Sequence, residues 1–182
     1  VDQTSSDSRN TVEACDRLPK DESENKATAN HIKLRVKLEQ DDSGWPPVES
    51  EGLWAIKLAN GNYKIDNIPW FAKNLAADDE VKAYPDSDGV LWYAEKLTWA
   101  GHFTIRLIPL MDGTWTEKMD RLRNTFVAAG ITVEGLSQYG IAALDIEPGV
   151  DLPRLKKTLI DGENKGFWSY EEGCISNEWS AI

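Results

Sequence analysis

Between His102 and Glu172 the hydrophobic period switches from two to about 3.6 and back, twice. This rhythm restricts the fold more than any other feature of the chain. HFTIRLIPL (102–110) alternates as a strand. Met119, Leu122 and Phe126 then recur on one helical face, with Thr116 as the expected N-cap and Gly130 as the stop. ITVEGL (131–136) and IAALDI (141–146) read as a hairpin around SQYG. A second helix begins at the cap Asp151, carries Leu152, Leu155 and Leu159 on one face, and accommodates Pro153 in its first turn. FWSYEE (167–172) closes the series. The order is β-α-β-β-α-β, the ferredoxin-like arrangement.

The preceding residues keep to a period of two. In IKLRVKL, Ile32, Leu34, Val36 and Leu38 alternate with Lys33, Arg35 and Lys37, a half-buried strand whose basic face is expected near carboxylates. The acidic loop from Asp41 to Gly44 and the pair Pro46-Pro47 end it. LWAIKL (53–58) and NYKID (62–66) are joined by Ala59-Asn60-Gly61, a hairpin signal. IPWFAKNL (68–75) reads as a packed loop or short helical turn. EVKAY (80–84) and VLWYAEKL (90–97) flank the turn PDSDG. Short strands at this spacing predict a small barrel of SH3-like size. The expected organisation is α+β: a flexible acidic tail over 1–30, a small β-barrel domain over 31–100, and a ferredoxin-like domain over 101–182.

The tail is assigned on composition, because residues 1–30 are rich in Ser, Asp, Glu and Asn and have no apolar period. The N-terminus is polar, begins at Val1 and lacks the apolar region of a signal peptide, and no stretch approaches the roughly 20 apolar residues of a membrane span. A cytoplasmic location is expected. Cys15 and Cys174 are too few for a disulfide framework or a zinc site and suit a reducing compartment. The net charge of −11 repels phosphate backbones and anionic headgroups, so neither nucleic acid nor membrane is an expected partner. Phe167, Trp168 and Tyr170 would offer stacking faces to bases, but Glu171 and Glu172 lie beside them.

Catalytic signals are few. His102, followed on its strand by Thr104 and Arg106, has the residue type for acid–base work, but no nucleophile or base lies at a readable spacing. A structural role at the strand entry is the simpler reading. Glu49, Glu51, Glu171 and Glu172 read as solvated carboxylates flanking strands rather than a paired-carboxylate site. Asp78-Asp79-Glu80 lacks the spacing of a calcium loop, and PDSDG (85–89) is too short for one. No phosphate loop, dinucleotide fingerprint or nucleophile elbow is present. Neither a cofactor nor a metal is expected, and the chain reads as a binding protein rather than an enzyme. Eight Trp supply candidate anchors, Trp45, Trp70, Trp92, Trp99 and Trp115 among them, with Trp54 expected in the core. Of the alternating pair Trp92 and Tyr93, Tyr93 is expected to be the exposed one.

GWPPVESEGLWA (44–55), YKIDNIPWFA (63–72), DDEVKA (78–83), GHFTIR (101–106) and YEEGC (170–174) together resemble a bacterial family catalogued as domain of unknown function 4265. The resemblance spans roughly residues 32–175. Phe103 departs from its pattern, which has a small residue there, and this removes any role needing a hydroxyl at that position. The resemblance implies an immunity role, because related small acidic proteins are encoded beside bacterial toxins. The first expectation is therefore an immunity protein that neutralises a basic toxin domain by direct binding. Its contact residues are expected to be Trp45, Glu49, Glu51, Asn67, Trp70, Tyr93, His102 and Glu171. The alternatives are a small-molecule sensor with a groove lined by Trp70, Phe71 and His102, and an enzyme using His102 as acid–base.

Overall fold

The computed structural model describes Thr11–Glu13 and residues 31–182. The expected tail therefore lies outside the described residues, apart from a short strand, β1 (Thr11–Glu13). The alternating segments that follow are β2 (His31–Lys37), β3 (Ser50–Lys57), β4 (Tyr63–Ile65), β5 (Glu80–Pro85) and β6 (Leu91–Thr98). β2 to β5 pair antiparallel along the order β2-β3-β4-β5, β6 pairs antiparallel with β5, and a parallel contact of Leu34 and Arg35 with Leu91 and Trp92 returns to β2. Five strands thus close a barrel, and β1 lies parallel to Ser50–Gly52 of β3. Alternation decides which side chains fill it: Leu34, Val36, Leu53, Ala55, Ile65 and Val81 point inward. On the outer face the Lys33 ammonium lies over the Trp54 ring, 5.4 Å from its centroid. The Asn60-Gly61 turn forms as expected, with Gly61 at a φ of 87° that a side chain would oppose.

The remaining elements are β7 (Phe103–Pro109), α1 (Trp115–Phe126), a 3₁₀ turn (Val127–Ala129), β8 (Thr132–Leu136), β9 (Ile141–Ile146), α2 (Leu152–Asn164), β10 (Trp168–Cys174) and α3 (Asn177–Ser180). Their strands form an antiparallel sheet in the order β10-β7-β9-β8. The N-cap of α1 is Thr114 rather than the expected Thr116. Thr114 stands three residues before Glu117, and the two form a reciprocal capping box that Thr116 has no partner to make. Asp151 caps α2 as expected. Phe103, Ile105 and Leu107 of β7 pack with Met119, Leu122 and Phe126 of α1, Leu155 and Leu159 of α2, and Trp168 and Trp179. The helices therefore cover one face of the sheet.

The other face of β7 carries Thr104 and Arg106, and it is turned toward the segment between β4 and β5. A third apolar cluster joins Ile68, Trp70 and Phe71 of that segment to Leu136, Ile141 and Ala143 of the sheet. Burial of Trp70 and Phe71 here contributes roughly 2–3 kcal/mol each before ordering costs. The chain is thus a mixed α+β protein in which a closed five-stranded barrel packs on a second sheet with its helices. Among the described residues no helix is long and apolar enough to cross a membrane.

Candidate functional site

The segment 66–79 between β4 and β5 is fixed by buried polar groups as well as by its apolar packing. At its start, Asn67 accepts the Trp54 N–H through Oδ1 at 2.8 Å and donates from Nδ2 to the Ile68 carbonyl at 3.1 Å. Glu51 on β3 is fully buried and accepts the N–H groups of Trp70 (2.5 Å), Phe71 (2.9 Å) and Ala72 (2.8 Å). Burial pushes the Glu51 carboxyl above the usual range, opposed by these three N–H donors and by the Arg106 charge. Asp79 at the far end, also fully buried, accepts Ala76 N–H and Ala100 N–H at 3.0 Å each and lies 3.4 Å from the Lys96 ammonium. Between these anchors Asn74 and Asp78 adopt left-handed φ values of 58° and 62°.

The second sheet grips the same segment from outside. Arg106 donates from Nε to the Pro69 carbonyl at 3.4 Å, and its two terminal nitrogens reach the Ala72 carbonyl and the Glu171 carboxylate. Thr104 donates its hydroxyl to the Leu75 carbonyl at 3.3 Å. Gly173 at the bulge of β10 makes room, since a Cβ there would lie 2.8 Å from the Arg106 guanidinium.

His102 stands at the entry to β7, as expected. Its Nδ1 lies 2.8 Å from Asp145 Oδ1 on β9, and its Nε2 lies 3.8 Å from Asp78 Oδ2. Burial pushes the Asp145 carboxyl up, although the hydrogen bond and charge of His102 pull it down. Lys64 pairs with Asp78 at 2.7 Å. The imidazole is thus held between two carboxylates. Among the described residues no group of three or more His, Cys, Asp or Glu is placed to hold a metal ion. Cys174 is buried, its thiol pushed up by that burial, with the Lys96 ammonium at 3.8 Å.

The expected contact residues divide accordingly. Trp45 is 39% exposed and rests edge-on against Phe71, which in turn meets Tyr139 edge-on. Glu49 is exposed nearby on the chain. Glu51 and Trp70 were expected at a surface, and both are buried, because the segment's backbone needs the one as an acceptor and the core needs the other. Asn67 turns its amide inward to the backbone. Neither member of the Trp92–Tyr93 pair is fully exposed: both are half-buried, Tyr93 leaning on the barrel cluster with Leu91 while Trp92, on the opposite face, donates its indole N–H to Asp86 at 2.8 Å. Glu171 is partly exposed and paired to Arg106. The groove expected along Trp70, Phe71 and His102 is filled at its first two residues by their packing against Leu136 and Ile141. Arg106, Asp79 and Asp145 complete the polar core without having been singled out as site residues. The available signal was a charge at an inward position of an apolar strand, which in Arg106 and Asp145 needs a buried partner.

The chain belongs to the family described as domain of unknown function (DUF4265), whose model matches residues 51–170. A solved structure described as a novel crystal structure of a hypothetical protein from Neisseria gonorrhoeae is similar at 22% identity and a TM-score of 0.66. The match covers 81% of this chain and 98% of that one, and it shows a shared fold. No curated protein matches.

Proposed function

We propose that this protein is a non-catalytic binding protein of the immunity type, acting in the bacterial cytoplasm to neutralise a basic toxin domain by direct contact. The observation that carries the reading is the −11 net charge combined with a rigidly backed, exposed aromatic at Trp45. Acidic side chains at Asp41, Asp42 and Glu49 lie close to it in sequence and are exposed. Aromatic anchors inside an acidic rim suit a protein partner of opposite charge, with the rim acting on encounter and the anchor on residence. The family match and the shared fold are compatible with this role and assign no activity. In this reading the barrel is SH3-like and the second half is ferredoxin-like, a fold pair serving as a rigid scaffold for surface contacts. Trp45 and Glu49 remain the primary contact residues, with Glu171 at the margin.

The enzyme reading rests on the His102–Asp145 pair, since a carboxylate on one imidazole nitrogen is the arrangement that orients a general base. Its other nitrogen, however, faces Asp78 rather than a nucleophile. Co-expression with the product of the neighbouring gene separates the readings. Growth rescue and co-purification support binding, whereas a turnover abolished by His102→Gln supports catalysis.

A further inference from the structure

Away from the Trp45 patch, the end of β9 and the start of α2 face Trp99 across a cleft of about 390 Å³. Trp99 is held in place on two sides. Its indole stacks on Phe103 with centroids 5.5 Å apart and planes 12° from parallel, and its N–H donates to the His102 carbonyl at 2.7 Å. The ring is nevertheless 40% exposed and lines the cleft. One aromatic face is therefore backed, and the other is offered to whatever enters. An indole face is the negative end of a quadrupole and attracts cations.

The rim has the same sign. Glu147, Asp151 and Glu178 line the cleft together with the apolar Leu152 and Phe103. Asp151 is committed to capping α2 through the Arg154 N–H at 3.1 Å, which offsets the positive end of that helix. Glu147 and Glu178 are exposed, and among the described residues their carboxylates make no hydrogen bond or ion pair. Lys156, farther along α2, makes no ion pair with either of them; its ammonium donates to the carbonyls of Trp179 and Ile182 at 2.9 and 2.8 Å.

We propose that this cleft receives an arginine side chain of the protein partner. The aliphatic stem would lie on the apolar floor, the guanidinium on the Trp99 face, and its N–H groups on Glu147 and Glu178. A planar guanidinium suits both surfaces at once, stacking on an aromatic while donating to carboxylates, where an ammonium can only act as a point charge. The proposal rests on the reading of a basic protein partner and names where one of its basic residues enters.

The test uses the full chain and three short blocked peptides that differ at one position: arginine, lysine or the uncharged isostere citrulline. The indole N–H resonance of Trp99, identified by its loss in Trp99→Phe, is followed by NMR during titration. The arginine peptide is expected to shift it saturably, the lysine peptide more weakly, and citrulline not at all. Glu147→Gln with Glu178→Gln is expected to weaken arginine binding by about tenfold or more. Equal binding of citrulline, or shifts that leave Trp99 unmoved, would overturn the proposal. Toxin neutralisation unaffected by Glu147→Gln with Glu178→Gln also overturns the cleft while leaving the immunity reading intact. Arginine binding without any neutralisation sustains the cleft and removes the immunity reading.

Discussion

Glu51 and Arg106 hold the same loop from opposite sides. The carboxylate, on the barrel, accepts the N–H groups of Trp70, Phe71 and Ala72, and the guanidinium, on the second sheet, donates to the carbonyls of Pro69 and Ala72. Ala72 is bound by both residues, Glu51 at its N–H and Arg106 at its carbonyl. The two halves of the protein are thereby coupled through a segment with no regular structure.

Glu51→Ala should strand three buried donors and cost on the order of 3 kcal/mol, more than the loss of an ordinary surface carboxylate. Arg106→Met should cost a comparable amount. Because both residues act on one loop, the double substitution should cost clearly less than the sum of the two. Chemical denaturation of the four proteins measures this, and strict additivity would show that the loop is not shared.

How much of this was legible in the sequence depends on the kind of residue. The alternation of residues 32–38 and the helical spacing of Met119, Leu122 and Phe126 place the elements correctly, since apolar periodicity reports which face is buried. Glu51 reads as a surface acid, because nothing local reveals that residues 70–72 will present three N–H groups to it from about twenty positions away. Trp70 reads as an anchor, because its place in a loop segment is all that the local sequence displays. Its fate is decided by Leu136 and Ile141, which belong to another sheet.

The Asp145 carboxyl is raised above its ordinary value of 3.8 by burial, with His102 only partly offsetting this. The folded state then binds that proton more tightly than the unfolded chain. The resulting stability is fully present below the unfolded value and is lost as pH rises through the raised one. Asp145→Asn has no proton to exchange and should lack this component. The stability of the natural protein minus that of the variant should therefore decline with pH across the window. A difference that grows with pH contradicts the assignment.

Gly162 lies in α2, where alanine would ordinarily gain about 1 kcal/mol in helix propensity. A Cβ at this position would sit 1.9 Å from the Trp168 ring, however. Trp168 is buried and tied to the Leu159 carbonyl at 3.1 Å, so it has little freedom to move away. Overpacking should dominate, and Gly162→Ala should lower stability by about 1–3 kcal/mol. Thermal unfolding decides between the two effects by sign.

Trp45 and Trp70, both candidate anchors by sequence, should separate cleanly. Trp70→Ala should destabilise the fold by about 3–5 kcal/mol, because the ring is 1% exposed in the cluster joining the two halves. Trp45→Ala should cost far less stability, about 1 kcal/mol for the lost edge-on contact with Phe71, and speed dissociation from a bound partner, by about 2 kcal/mol if Trp45 is a hot spot. Glu49→Gln should slow association, most clearly at low salt. Surface plasmon resonance against the partner, alongside denaturation of the free protein, reads both axes.

The central claim is that this protein acts by binding and not by turnover, and co-expression with a basic toxin domain encoded by a neighbouring gene tests it most directly. Natural protein and His102→Gln should both restore growth and co-purify with the toxin, the variant at somewhat lower yield because the imidazole's contact with Asp145 is lost. Failure of the natural protein to rescue or co-purify, together with a measurable reaction that His102→Gln abolishes, would contradict the account.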